Sequence, residues 1–246
     1  MGQTRALVLV GLAVFTAVIL ATLPASLLAS RLPAEIAVDG ASGTIWNGAA
    51  DEVRLRGAPL GSLTWTAEPG ALLRGAMAFH VEVVRPDGFV RGRLAATLAG
   101  ALEGDGLELD LPITALHPEH GDDAWAGTLS GRIEHVRLEQ GWPVALTGTL
   151  GIAHLRPPGS ALEIGGYAID FDGRANSAEK LVGRVRDVDA PLLVRGQLEI
   201  RLERSYLLQG EVTPRPGASP EVGRAVAFLG LPDAAGRRSF EITGTF

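Results

Sequence analysis

The spacing of apolar and polar residues changes period once along this chain. From Ala6 to Leu23 (ALVLVGLAVFTAVILATL) no residue carries a charge. Crossing ~30 Å of hydrocarbon takes about 20 apolar residues at 1.5 Å rise each, and this stretch is long enough. A helix that is apolar all round has no face to offer water. Ala6, Leu7, Val8, Leu9, Val10, Leu12, Val14, Phe15, Val18, Ile19, Leu20 and Leu23 are therefore expected to form a membrane anchor in contact with lipid. Pro24 lacks a backbone donor and is expected to kink or end that helix.

A cleaved signal peptide is the competing reading. Its apolar core runs about 7–15 residues and ends at a small-x-small site. The best such site, Leu28-Ala29-Ser30, has a bulky leucine upstream, so a retained anchor is preferred. Arg5 and the terminal amine favour keeping the tail on the cytoplasmic side, against a weaker opposing pull from Arg31. Either way the body is exported. Residues 1–30 are expected to be tail and anchor, and 31–246 one all-β domain.

Beyond Arg31 the period becomes two. In Val194-Arg195-Gly196-Gln197-Leu198-Glu199-Ile200-Arg201-Leu202-Glu203 every second residue is apolar or glycine and the rest are polar. Side chains alternate across a strand, so this predicts one face on a core and one in water. Leu107–Leu111 and Val53–Arg56 repeat the pattern, and Phe79, Val81 and Val83 oppose His80 and Glu82. Trp142–Leu155, Leu162–Phe171, Leu181–Val188, Tyr206–Val212 and Ser239–Phe246 are further predicted strands. In Leu129–Leu138 the apolar phase slips by one near His135, which predicts a β-bulge.

Pro86-Asp87-Gly88, Asp105-Gly106 and Pro157-Pro158-Gly159 are predicted turns. Two short helices are expected. Ser219 caps one, with Pro220 in its first turn, Val222, Ala225, Val226 and Leu229 on one face, and Gly230 closing it. The other is a single turn, Pro69–Arg74, closed by Gly75. The predicted class is mainly β: a transmembrane helix, then a curled antiparallel sheet (an open barrel or sandwich-like), with one short C-terminal helix.

Composition narrows the chemistry. Thirty-two glycines and fifteen prolines suit many short strands and tight turns, and with aromatics at 5% the core must be largely aliphatic. Net charge is −6 and the cations are scattered, with Lys180 the only lysine. A nucleic-acid surface needs a basic stripe, so nucleic acid is not an expected partner. With no cysteine, disulfides and thiolate chemistry are excluded.

His117, Glu119, His120, Asp122 and Asp123 form the densest group of potential metal ligands, but Pro118 and Gly121 make it a loop, and His-Glu-x-x-His is absent. No Gly-x-Ser-x-Gly elbow and no phosphate-binding loop occurs. The expectation is no catalytic site, no metal and no cofactor. Trp46, Trp65 and Trp142 are candidate partner contacts, because exposed aromatics often anchor interfaces. Core positions are an equally natural use of them.

Five features in order resemble the family of protein N of the type II secretion system. They are the anchor; Ser42-Gly43-Thr44-Ile45-Trp46-Asn47-Gly48; Gly61-Ser62-Leu63-Thr64-Trp65 leading to Pro69-Gly70-Ala71-Leu72-Leu73-Arg74-Gly75; Gly141-Trp142-Pro143 before Thr147-Gly148-Thr149-Leu150; and the run from Leu208-Gln209-Gly210 to Phe246. The last contains Phe228-Leu229-Gly230-Leu231-Pro232-Asp233. The resemblance implies a non-enzymatic accessory component in the inner membrane. Its N-terminus would be cytoplasmic and its bulk periplasmic. It would contact other secretion components and support export of folded proteins. The alternative is a periplasmic lipid-binding or lipid-bridging protein of the AsmA-like or lipopolysaccharide-transport type.

Overall fold

The computed structural model describes residues 15, 18–19, 21–29, 36–55, 57–115, 125–160, 162–173 and 179–245. Most of the expected anchor and the whole His117–Asp123 group lie outside them. Of the anchor, Phe15, Val18 and Ile19 are helical and exposed. Among the described residues no helix is long and apolar enough to cross a membrane.

The chain forms two compact units, Met1–Pro86 and Asp87–Phe246. The first holds β1 (Ile36–Asp39), β2 (Ser42–Gly43), β3 (Asn47–Leu55), β4 (Ala58–Glu68) and β5 (Ala76–Arg85). The second holds β6 (Gly88–Thr97), β7 (Leu102–Pro112), β8 (Ala126–Glu139), β9 (Trp142–Arg156) and β10 (Gly165–Asp172). It continues with β11 (Lys180–Val188), β12 (Leu192–Arg201), β13 (Ser205–Pro214), a helix at Pro220–Ala227 and β14 (Arg238–Thr245). In the first unit the hydrogen-bonded order is β1-β3-β4-β5, with β2 beside β3, and in the second it runs in chain order from β6 to β14. The strands are antiparallel, and among the described residues neither order closes on itself.

In the second unit the alternation places the two sets of side chains on opposite faces. One face carries Val90, Leu109, Leu150, Ile169 and Val185 on neighbouring strands. At its far end the helix packs on it: Val222 and Val226 are buried with Leu192, Val194 and Val212. Burying each such valine contributes about 1.5–3 kcal/mol. Ser219 caps the helix as expected, its hydroxyl accepting the Val222 N–H at 3.3 Å. The helix ends at Phe228, still right-handed, and not at Gly230, whose left-handed φ of 91° comes two residues later. With Leu229 half-exposed, the apolar stripe runs out before the glycine is reached.

Pairing settles the bulges. The β8–β9 register shifts between Ile133 and His135, where the apolar phase slips in the sequence. Asp105-Gly106 is not a turn. It lies inside β7, where the β6–β7 register shifts between Arg91 and Arg93. Gly106 has φ 58°, and both a tight turn and a bulge of this kind need a residue tolerating positive φ, so the dipeptide alone does not separate them. The reversal into β7 occurs instead after Thr97, whose C=O accepts the Gly100 N–H at 2.9 Å. The turns at Pro86-Asp87 and Pro158-Gly159 form where expected, and Pro69–Arg74 is a 3-10 turn closed by Gly75. β10 starts at Gly165, later than Leu162, and Leu202 falls in the turn after β12.

Candidate interaction surface

The bulges leave one polar row undisturbed. The extra residue in β7 brings Glu103 and Asp105 to the same side as Glu108 and Asp110. Arg91, Glu108, Arg132, Thr149, Asp170, Arg184, Gln197, Gln209 and Glu241 are directly paired in succession from β6 to β14. All nine are polar. Directly opposed residues share a face, so the row crosses the whole second unit.

Most of its charges are matched. Arg91 and Arg132 both bond Glu108, with Arg91 at 2.7 Å. These two guanidinium groups, Arg91 foremost, hold the Glu108 carboxyl below its usual range. One level along, Asp105 meets the His135 ring at 2.8 Å and Arg93 at 2.7 Å, and those bonds, His135 first, depress its pKa. Asp170 is held low by Arg186 at 2.9 Å and by the Thr149 hydroxyl at 2.8 Å. Between Phe89, Glu108, Ser130, Arg132 and Thr149 the face dips into a shallow depression of about 410 Å³.

Glu199 is the exception to an exposed polar face, at 9% exposure. Lys180 at 3.2 Å, Gln197 at 3.1 Å and Arg201 at 3.4 Å surround it, and the Lys180 bond chiefly lowers its pKa. Asp187 lies at the end of the β11–β12 ladder. Its carboxylate accepts the Val194 N–H at 2.9 Å and pairs with Arg215. Burial raises its pKa most, yet these bonds together outweigh burial and the net shift is downward. Burial, with help from the Asp187 charge, pushes the Tyr167 hydroxyl up to about 12.

Chemically, these groups neutralise one another. Among the described residues no three His, Asp or Glu side chains converge to hold a metal ion. The His135–Asp105 pair has the form of a base and its orienting carboxylate, but Asp105 is shared with Arg93.

The tryptophans separate. Trp65 on β4 is buried at 7% with Ala25 and Ala50, and its Nε1 donates to the Thr44 carbonyl at 3.2 Å. Its place is the core of the first unit, because the alternation of β4 turns it inward. Trp46 is half-buried in the turn before β3, where the Thr44 hydroxyl accepts the N–H groups of Trp46 and Asn47, both at 3.2 Å. Trp142, also half-buried, opens β9 opposite Glu139.

β14 is the surface that sequence reading did not single out. Among the described residues this eight-residue strand pairs with β13 only, and Glu241, Ile242 and Thr243 are exposed on it. Nothing local in its alternation distinguishes an edge from an interior strand.

The second unit is thus an open antiparallel sheet with a charge-matched face and a long edge strand, β14. A family model for protein N of the type II secretion system (T2SS) matches residues 34–241. Type II secretion system protein N of Aeromonas hydrophila is 26% identical over 238 residues, 89% of each chain. The protein of that name from Vibrio cholerae serotype O1 is 28% identical over 235 residues, 90% of each. No solved structure matches. The chain belongs to the type II secretion system protein N family.

Proposed function

We propose that this chain is an accessory, non-enzymatic component of a type II secretion system, supporting export of folded proteins across the outer membrane by contacts with other secretion components. Support comes from the family match over residues 34–241 together with the one-sided pairing of β14. An edge strand presents backbone donors and acceptors that a partner strand can complete. The matched charges of the polar row suit a surface that stays hydrated or meets a polar partner. Of the three tryptophans singled out in the sequence, Trp46 and Trp142 are partly accessible and suited to a contact, whereas Trp65 supports the unit from within.

Residues 6–23 hold the chain in the inner membrane, N-terminus cytoplasmic, with 31–246 on the periplasmic side. The secretion reading is preferred to lipid bridging because the similar proteins from both organisms carry the secretion name. Deleting the chain and measuring a secreted enzyme in the culture medium tests the role. Export should fall and recover on complementation; undiminished export overturns it.

A further inference from the structure

The first unit is tied to the chain that leaves the expected anchor. The Ile45 N–H donates to the Leu23 carbonyl at 2.9 Å, and the Ala25 N–H to the Gly43 carbonyl at 3.1 Å. Pro24 forms a bridge with Thr44, and Ala25 is buried against Ala50 and Trp65. The apolar segment therefore reaches the sheet with no loose connection, at the end where β3 begins.

That same end carries the β4–β5 connection. The Ala67 N–H donates to the Trp46 carbonyl at 2.6 Å, and two residues later the chain enters the turn Pro69–Arg74. The turn is firmly built. Ala71 is fully buried, the Gly75 N–H bonds the carbonyls of Ala71 and Leu72, and Arg74 pairs with Glu68 at 2.8 Å. Yet its two leucines point outward: Leu72 is 50% and Leu73 93% exposed. Leu27, three residues past Pro24, is 47% exposed. Adjacent apolar side chains on a rigid turn have no role in the core of this unit.

We propose that the Leu72-Leu73 turn dips into the bilayer that receives the N-terminal helix, giving the first unit a second membrane contact. This rests on reading residues 6–23 as a retained membrane helix. Apolar side chains favour the acyl boundary over water, and a basic residue beside them suits the headgroup level, as Arg74 stands beside Leu73. The hydrogen bonds at Leu23 and Ala25 place the bilayer and the turn at one end of the unit. Two attachments of this kind fix how the unit stands on the membrane.

The chain has no cysteine, so single labels can be placed without background. Full-length Leu73→Cys, Leu98→Cys and Val10→Cys would each carry a spin label, in nanodiscs of phosphatidylethanolamine and phosphatidylglycerol. Leu98, 91% exposed in the other unit, is the aqueous reference, and Val10 reports the anchor. The label at 73 should collide several-fold less with an aqueous nickel complex, and more with oxygen, than the label at 98. Val10 in lipid with position 73 as aqueous as 98 overturns the proposal while the anchor stands. Should Val10 also be aqueous, the anchor reading fails and this proposal with it. If position 73 is aqueous in nanodiscs but shielded from a soluble maleimide in cells, a protein covers the turn and the lipid contact is refuted.

Discussion

Gly48 lies directly across from Trp65, so close beneath the indole that a Cβ at position 48 would stand 2.3 Å from Cζ2. It would also stand 2.6 Å from the Ser42 carbonyl oxygen, so moving the ring alone does not make room. The core of the first unit is thus closed by the absence of a side chain. Gly48→Ala should destabilise by about 1–3 kcal/mol, the usual cost of overpacking. Urea unfolding followed by tryptophan fluorescence checks it; an unchanged midpoint contradicts the contact.

Asp187 should matter more as an acceptor than as a charge. Asp187→Ala leaves the Val194 N–H without its acceptor and Arg215 without its carboxylate, a loss of about 1–3 kcal/mol. Asp187→Asn retains a carbonyl for Val194 and should cost less. It also removes the negative charge beside Tyr167, so the tyrosinate titration should move down from about 12. Equal losses in both variants would assign the effect to charge.

The β8–β9 hairpin turns on Gln140 and Gly141, both at positive φ, 53° and 77°. That is the mirror-image turn that matches the twist of the strands, and Asn-Gly suits it better than Gln-Gly. Gln140→Asn should stabilise by roughly 0.4–1 kcal/mol, by analogy with other substitutions matched to their backbone conformation. A raised thermal midpoint with unchanged unfolding slope is the expected result.

Acid should loosen the second unit. Its bonds to His135 and Arg93 hold Asp105, and those to Arg186 and Thr149 hold Asp170, below the ordinary 3.8; Lys180 and Arg201 hold Glu199 below 4.5. The unfolded chain then binds more protons in this window, so the stabilisation present above the ordinary values is lost as pH falls through the depressed ones. The urea midpoint should drop as pH falls through and below these ordinary values. Asp170→Asn with Glu199→Gln should flatten that slope, and no flattening would locate the sensitivity elsewhere.

Consecutive N–H groups of a strand point to opposite sides, so proline at two neighbouring positions of β14 separates fold from contact. Of Glu241→Pro and Ile242→Pro, one removes a bond to β13 and should lower stability. The other should leave the melting temperature near that of the unmodified chain and reduce export. Full export with the stable variant argues against the edge as a contact.

Strand faces were legible wherever alternation was unbroken, as from Val194 to Ile200, and the slip at His135 could be read from a single displaced apolar residue. Asp105-Gly106 misled because bulge and turn make the same local demand. β1, β2 and β6 were not singled out: the first two are very short, and β6 mixes Gly, Arg and Ala without a clear period. The burial of Glu199 was not legible at all. Alternation puts it on the polar side, and its cover comes from Lys180 on the next strand, a neighbour fixed only by register. Trp65 as core and Trp46 as turn depend likewise on pairing between β3 and β4.

From β7 onward every strand pairs with the one made just before it. Contacts are therefore local along the chain, and closing each loop costs little entropy. A polypeptide delivered N-terminus first would find each new strand's partner already waiting. The assembly can advance hairpin by hairpin, and the helix at Pro220–Ala227 then reaches back over strands already laid down.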